Sequence, residues 1–107
     1  MGKATVVIKS LGTKKKFTRL LGDAAHKKNF RAGLVMLNEG ESVGEHSTEN
    51  KEEALIILEG KAGIICGKRI IKAGRDNFIY IPPKTKHNLK NTGKGILKYI
   101  YITSKKD

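Results

Sequence analysis

The chain has 107 residues, enough for one hydrophobic core and hence for a single domain over residues 1–107. Its 22 Lys and Arg against 10 Asp and Glu give a net charge of +12, but only Arg19, Arg31, Arg69 and Arg75 are arginine, and three Tyr and three Phe are too few to interleave with them and stack bases. That pattern argues against specific nucleic-acid binding and for a solvated lysine coat, while a lone cysteine, no leader pattern and no apolar run near the ~20 residues of a membrane helix set the expectation of a soluble, cytoplasmic protein with no membrane partner.

Helical periodicity is scarce, and short runs rich in Val, Ile, Leu and Tyr alternate with Gly, Asn, Lys and Pro, so the sequence predicts an all-β domain. The first runs, Thr5 to Lys9, Phe17 to Leu21 and Phe30 to Leu37, form an N-terminal group over residues 1–37. Between them Asp23 to His26 suits a loop or one helical turn, with His26 in solvent. Gly44 to Thr48, Ala54 to Leu58 and Gly63 to Cys66 follow, and Gly67-Lys68 turns tightly into Arg69 to Lys72. Asn77 to Ile81, His87 to Asn91 and Ile96 to Thr103 complete the series, with Asn91 to Gly95 joining the last pair and residues 104–107 left as a short tail. Cys66 suits a small buried hydrophobe. About ten short strands suit a sandwich or small barrel.

Ala54 to Leu58 is apolar at every position, and Ile96 to Ile102 is interrupted only by Lys98. A strand with water on one face should alternate, so the outer faces of these two need a cover, and a homodimer is the expected one.

The chemistry concentrates in residues 40–91. Seven of the ten acids fall between Glu39 and Glu59, where Lys51 is the single basic residue, making this stretch locally attractive to a cation. It contains Gly40-Glu41-Ser42-Val43-Gly44-Glu45-His46-Ser47-Thr48, then Glu53 and Gly60; a second group is Pro82-Pro83-Lys84-Thr85-Lys86-His87 followed by Asn91. Alternate strand residues share a face, so Gly44, His46 and Thr48 point one way, and a turn over residues 49–52 brings Glu53 back on the adjacent strand of the same hairpin. His87 enters from another strand beyond the Pro82-Pro83 corner. A lone strand histidine is more often satisfied by ordinary hydrogen bonds. Two of them spaced with a carboxylate form a set that divalent transition metals accept, with coordination positions left open.

These residues resemble the two motifs of the cupin superfamily of small β-barrels. Gly40, His46, Glu53 and Gly60 fall on the first motif in register, and Pro82, His87 and Asn91 on the second. The resemblance implies a double-stranded β-helix, or jelly-roll barrel, with His46, Glu53 and His87 holding a divalent transition metal such as Fe, Mn, Zn or Ni. It also implies a small-molecule ligand, bound inside the barrel. Two positions depart from the motifs. Thr48 replaces a ligand histidine, and its hydroxyl is a poor ligand beside imidazole, so it is expected to support a metal-bound water or to contact substrate; Glu45, a conceivable substitute, is turned away by strand parity. Lys84 replaces a glycine and, with Lys86, is expected to steer an anion into the mouth; Asn91 suits a turn or the surroundings of the metal. The function implied is a metalloenzyme, oxygenase-like or isomerase-like, acting on a small polar or anionic molecule. The alternatives are a non-catalytic binding module and a structural dimer with a vestigial site.

Overall fold

The computed structural model describes residues 6–22 and 30–105, which form nine strands and, among the described residues, no helix. In chain order these are β1 (Phe17–Leu21), β2 (Phe30–Leu37), β3 (His46–Ser47), β4 (Lys51–Glu59), β5 (Lys61–Cys66), β6 (Arg69–Gly74), β7 (Phe78–Ile81), β8 (Lys86–Asn91) and β9 (Leu97–Lys105). They build two antiparallel sheets, a five-stranded one ordered β1-β2-β9-β4-β7 and a four-stranded one ordered β3-β8-β5-β6. The all-β expectation holds.

Register decides which side chains face the interior. In the larger sheet Arg31 pairs with Thr103, Thr103 with Glu53, and Glu53 with Ile81, so these four share one row on the inner face. The next rows inward are Gly33, Tyr101, Leu55 and Ile79, then Val35, Tyr99 and Ile57. Opposite them the smaller sheet presents Leu89 beside Ile64 and Asn91 beside Ala62. Val35, Leu37, Leu55, Ile57, Ile64, Leu89, Leu97 and Tyr99 form one buried cluster that closes the barrel at one end. Removing that much apolar surface from water is the main force holding the sheets face to face.

Gly60 shows how tight the β4–β5 turn is. Its φ is +89°, and a Cβ there would run into the Ile96 carbonyl and the Leu97 backbone, so both conformation and space demand glycine.

Three sequence expectations are corrected, and a fourth lies outside the described residues. Val6 to Lys9, the described part of the first expected strand, is not a strand; Val6 and Ile8 are 86% and 89% exposed, so strand-forming side chains there find no sheet to join. Residues 23–29, with the expected loop around His26, lie outside the described residues. The Asn91-to-Gly95 turn does not join a paired hairpin, because β8 and β9 belong to different sheets. Ser104 and Lys105 are not tail: they pair with Phe30, Glu52 and Lys51 and extend β9.

On the outer face of the larger sheet, Leu34, Ile100, Ile56 and Phe78 line one row and Ala32, Ile102, Ala54 and Tyr80 the next. Phe78 is 67% exposed and Tyr80 is also exposed, so the apolar run read in β4 and β9 continues into solvent-facing aromatics.

Candidate metal centre

His46 and His87 are brought together by strand pairing. They sit directly opposite each other in the β3–β8 ladder, and their rings meet edge-on with centroids 4.3 Å apart. Glu53 comes from β4 in the facing sheet. His46 and Glu53 are therefore not partners in one hairpin as the sequence suggested: the turn after β3 carries the chain from one sheet to the other, and the site spans the barrel.

Each histidine is oriented by a backbone carbonyl. His46 Nδ1 lies 2.9 Å from the Gly44 carbonyl, and the Gly44 N–H in turn donates to Asn88 Oδ1 at 2.9 Å. His87 Nδ1 lies 3.0 Å from the Thr85 carbonyl. Because a carbonyl can only accept, both Nδ1 atoms carry a proton, which leaves Nε2 as the atom each histidine can turn to a metal.

Thr48 belongs to this support. Its hydroxyl donates to the Pro82 carbonyl at 2.7 Å and accepts the Thr85 N–H at 3.1 Å, clipping β3 to the turn before β8. Thr85 then holds His87. The hydroxyl expected to contact water or substrate is committed to fixing the peptide that sets the tautomer of His87.

Glu53 is 8% exposed and His87 2%, and Glu53 Oε1 lies 3.0 Å from His87 Nε2. Two unprotonated groups would repel at that distance, so in the free protein they share a proton. The hydrogen bond to Glu53 raises the His87 pKa, burial works against it, and the Thr85 carbonyl and the charge of Glu53 reinforce the rise. A divalent cation can take the place of that proton. Ligand atoms of His46, Glu53 and His87 all lie within 4.8 Å of one another, and donors around one ion at ~2.1 Å stand about 3.4 Å apart, so a small rotation of exposed His46 completes the set. The residues fit a divalent metal with three protein ligands. Glu45 and Glu49 are exposed and stand outside this group.

The three residues lie in a cavity of about 370 Å3. Val35, Val43, Leu55 and Leu89 give it an apolar wall, Leu55 because it lies two residues after Glu53 on the same strand face. Tyr99 and Tyr101 also line it, and among the described residues no hydrogen bond engages either hydroxyl. Burial holds the Tyr99 phenol well above its ordinary pKa, with the charges of Glu53 and Tyr101 pushing the same way, so it stays a neutral donor. Tyr101 lies across β2 where Gly33 has no side chain; a Cβ at Gly33 would collide with the phenol ring.

Other expected site residues fall elsewhere. Lys84 is exposed in the turn before β8, with φ +54°, and Lys86 is exposed on β8; neither lines the cavity. Asn91 is buried at the far end of β8. Its amide donates to the carbonyls of Leu37 and Gly95 at 2.9 and 2.7 Å and its Oδ1 accepts the Gly93 N–H, so it ties the turn into β9 to the end of β2. The cations that do line the cavity are Arg31 and Lys51. The sequence carried a signal for Lys51, two residues before Glu53 and so on the same strand face. It carried none for Arg31, whose place depends on β9 lying between β2 and β4.

Comparison with known proteins agrees with this architecture. A family model described as the cupin domain matches residues 33–103. Mannose-1-phosphate guanylyltransferase of Salmonella typhimurium is 30% identical over 77 residues, which is 72% of this chain but only 16% of that protein's length. An RmlC-like cupin family protein with a double-stranded β-helix fold, from Methanocaldococcus jannaschii, superposes with a TM-score of 0.79 at 19% identity, covering 95% of this chain and 91% of the other. A predicted oxalate decarboxylase from Thermotoga maritima gives 0.76 at 22% identity, covering 83% and 78%. The fold is the double-stranded β-helix.

Proposed function

The chain belongs to the cupin family, and from that premise we propose that it is a metal-binding domain acting as a metalloenzyme on a small polar or anionic molecule held inside the barrel. The observation that carries this is the convergence of His46, Glu53 and His87 from both sheets, with a ligand atom of each within 4.8 Å of the others and both Nδ1 atoms held by backbone carbonyls. A bound Fe, Mn, Zn or Ni ion would supply a Lewis acid for a substrate oxygen, or, as iron, a site for dioxygen. Glu53 and the two histidines hold it. The Thr48–Thr85 clip fixes His87, the apolar wall limits access of water, and Tyr99 presents a neutral hydroxyl that orients a ligand oxygen or supplies a proton to it. Oxygenase-like and isomerase-like chemistry share this set.

The second reading, a binding module without turnover, is favoured by one observation: Thr48 stands where the cupin motif has another histidine, and its hydroxyl is spent on the backbone. Elemental analysis of protein prepared without chelator, then reloaded anaerobically with each metal, tests metal binding. Near-stoichiometric metal in the wild type and its loss in His46→Ala and His87→Ala supports the site; oxygen uptake by the iron form supports the oxygenase-like reading over a binding module. Metal at background in every preparation overturns it.

The partner proposed for the apolar outer face is a second copy of the chain, packed on the rows that end at Phe78 and Tyr80. Sedimentation at micromolar concentration should give a dimer that Phe78→Glu dissociates. A wild-type monomer refutes it.

A further inference from the structure

Arg31 and Lys51 stand at the mouth of the cavity on the two strands that flank β9. Arg31 shares the inner-face row of Glu53, with Thr103 between them, so its backbone is two strand spacings, roughly 10 Å, from that of Glu53. Lys51 is two residues before Glu53 on the same face of β4. Among the described residues no carboxylate lies within 4 Å of either cation. Lys51 also pairs directly with Lys105 of β9, which sets two like charges side by side on one strand face, an arrangement that costs stability unless an anion comes between them.

The charge balance of the cavity points the same way. Glu53 is its one carboxylate, against two permanent cations, and a divalent ion would add two further positive charges. Arginine offers a planar fork that matches carboxylate or phosphate oxygens. Phe17, Val35, Val43, Leu55 and Leu89 supply apolar lining, and the volume is at the small end of ligand pockets.

Resting on the metal reading above, we infer that Arg31 and Lys51 form a distal anion subsite, and that the ligand is a small molecule with an oxygen-bearing end at the His46–Glu53–His87 cluster and a carboxylate or phosphate at the other end. Thr103, midway between Arg31 and Glu53, offers a hydroxyl to the body of such a molecule, and Tyr101, on the row below, offers another. A molecule of similar size without the distal anion leaves the two cations unmatched and binds more weakly.

Lactate, malate and 3-phosphoglycerate test this, because they share a 2-hydroxycarboxylate end and differ in carrying no distal anion, a distal carboxylate or a distal phosphate. Calorimetric titration of the metal-loaded protein should show malate, 3-phosphoglycerate or both binding about tenfold or more tighter than lactate. Which of the two is preferred identifies the anion. Arg31→Gln and Lys51→Gln should each erase most of that preference, bringing malate and 3-phosphoglycerate toward the affinity of lactate. Equal binding of all three acids by the wild type, or a preference that survives both substitutions, overturns the subsite. Should the wild type take up no metal, the metal reading fails by itself, and the subsite is read from malate and 3-phosphoglycerate on the metal-free protein. Binding weakened by Arg31→Gln sustains it there, and no binding overturns it.

Discussion

Thr48→Val replaces a hydroxyl with a methyl group of nearly the same size and removes both ends of the clip between β3 and the turn before β8. The Pro82 carbonyl loses its donor at 2.7 Å and the Thr85 N–H loses its acceptor at 3.1 Å. Each partly buried group left without a partner costs about 1–3 kcal/mol, and because water reaches part of this turn a total of about 2 kcal/mol is expected. For a domain of this size that lowers Tm by about 10 °C. A second effect follows from the same bond. Thr85 provides the carbonyl that receives the His87 Nδ1 proton, so freeing its peptide should lower metal affinity by about 10- to 100-fold, the usual effect of losing a group that orients a ligand. Thermal unfolding of the metal-free variant and Co(II) titration of the folded variant measure the two separately. A Tm unchanged within 2 °C, estimated against the ~4–8 °C that 1 kcal/mol produces, would refute the clip. Lost stability with wild-type metal affinity would refute its link to His87.

The shared proton between Glu53 and His87 gives a pH dependence with a definite sign. Glu53 raises the His87 pKa above its unfolded value of 6.5, so the pair's stabilisation of the metal-free protein is full below pH 6.5 and is lost as pH rises through the higher folded value. Urea unfolding in chelator from pH 5.5 to 8.5, relative to His87→Gln, should show wild type losing its advantage with rising pH, while metal affinity rises over the same range because the ion displaces that proton; an advantage that grows with pH contradicts this. Gly60→Ala should cost ~3 kcal/mol or more, since the methyl group meets the Ile96 carbonyl in a backbone conformation alanine rarely adopts, and a soluble variant of wild-type Tm would be inconsistent with the β4–β5 turn described. Asn91→Ala should lose about 2–4 kcal/mol by unfolding, because one buried and two partly buried hydrogen bonds disappear, yet bind metal normally in its folded fraction; lost metal affinity in that fraction would restore Asn91 to the site.

Much of the site was legible because strand parity is a local property. Once Glu53 faces inward, Leu55 and Ile57 must follow it, and His46 and Thr48 must share a face. Long-range pairing was not legible in the same way. The sequence placed His46 and Glu53 in one hairpin because a short turn separates them, whereas that turn crosses between sheets and His46 finds its partner in His87, 41 positions along the chain. Arg31 was missed for the same reason, since it reaches the cavity only through the neighbourhood of β2, β9 and β4. Lys84 and Lys86 were overvalued on proximity in sequence to His87, although one sits in a turn and the other next to His87 on the opposite strand face. Val6 to Lys9 had strand composition but no sheet edge to join, and composition reports only the side chains' side of that balance.

The central claim is that a divalent ion binds where both sheets contribute ligands. Its most direct test is Co(II) absorption titration of the metal-free protein beside Glu53→Gln and His87→Ala, in which the d–d bands report coordination geometry as well as stoichiometry. One equivalent with intense, low-symmetry bands in the wild type, and loss of that spectrum in both variants, is the predicted result. The same weak, octahedral spectrum in all three proteins would mean that His46, Glu53 and His87 meet without holding a metal, and would contradict the account.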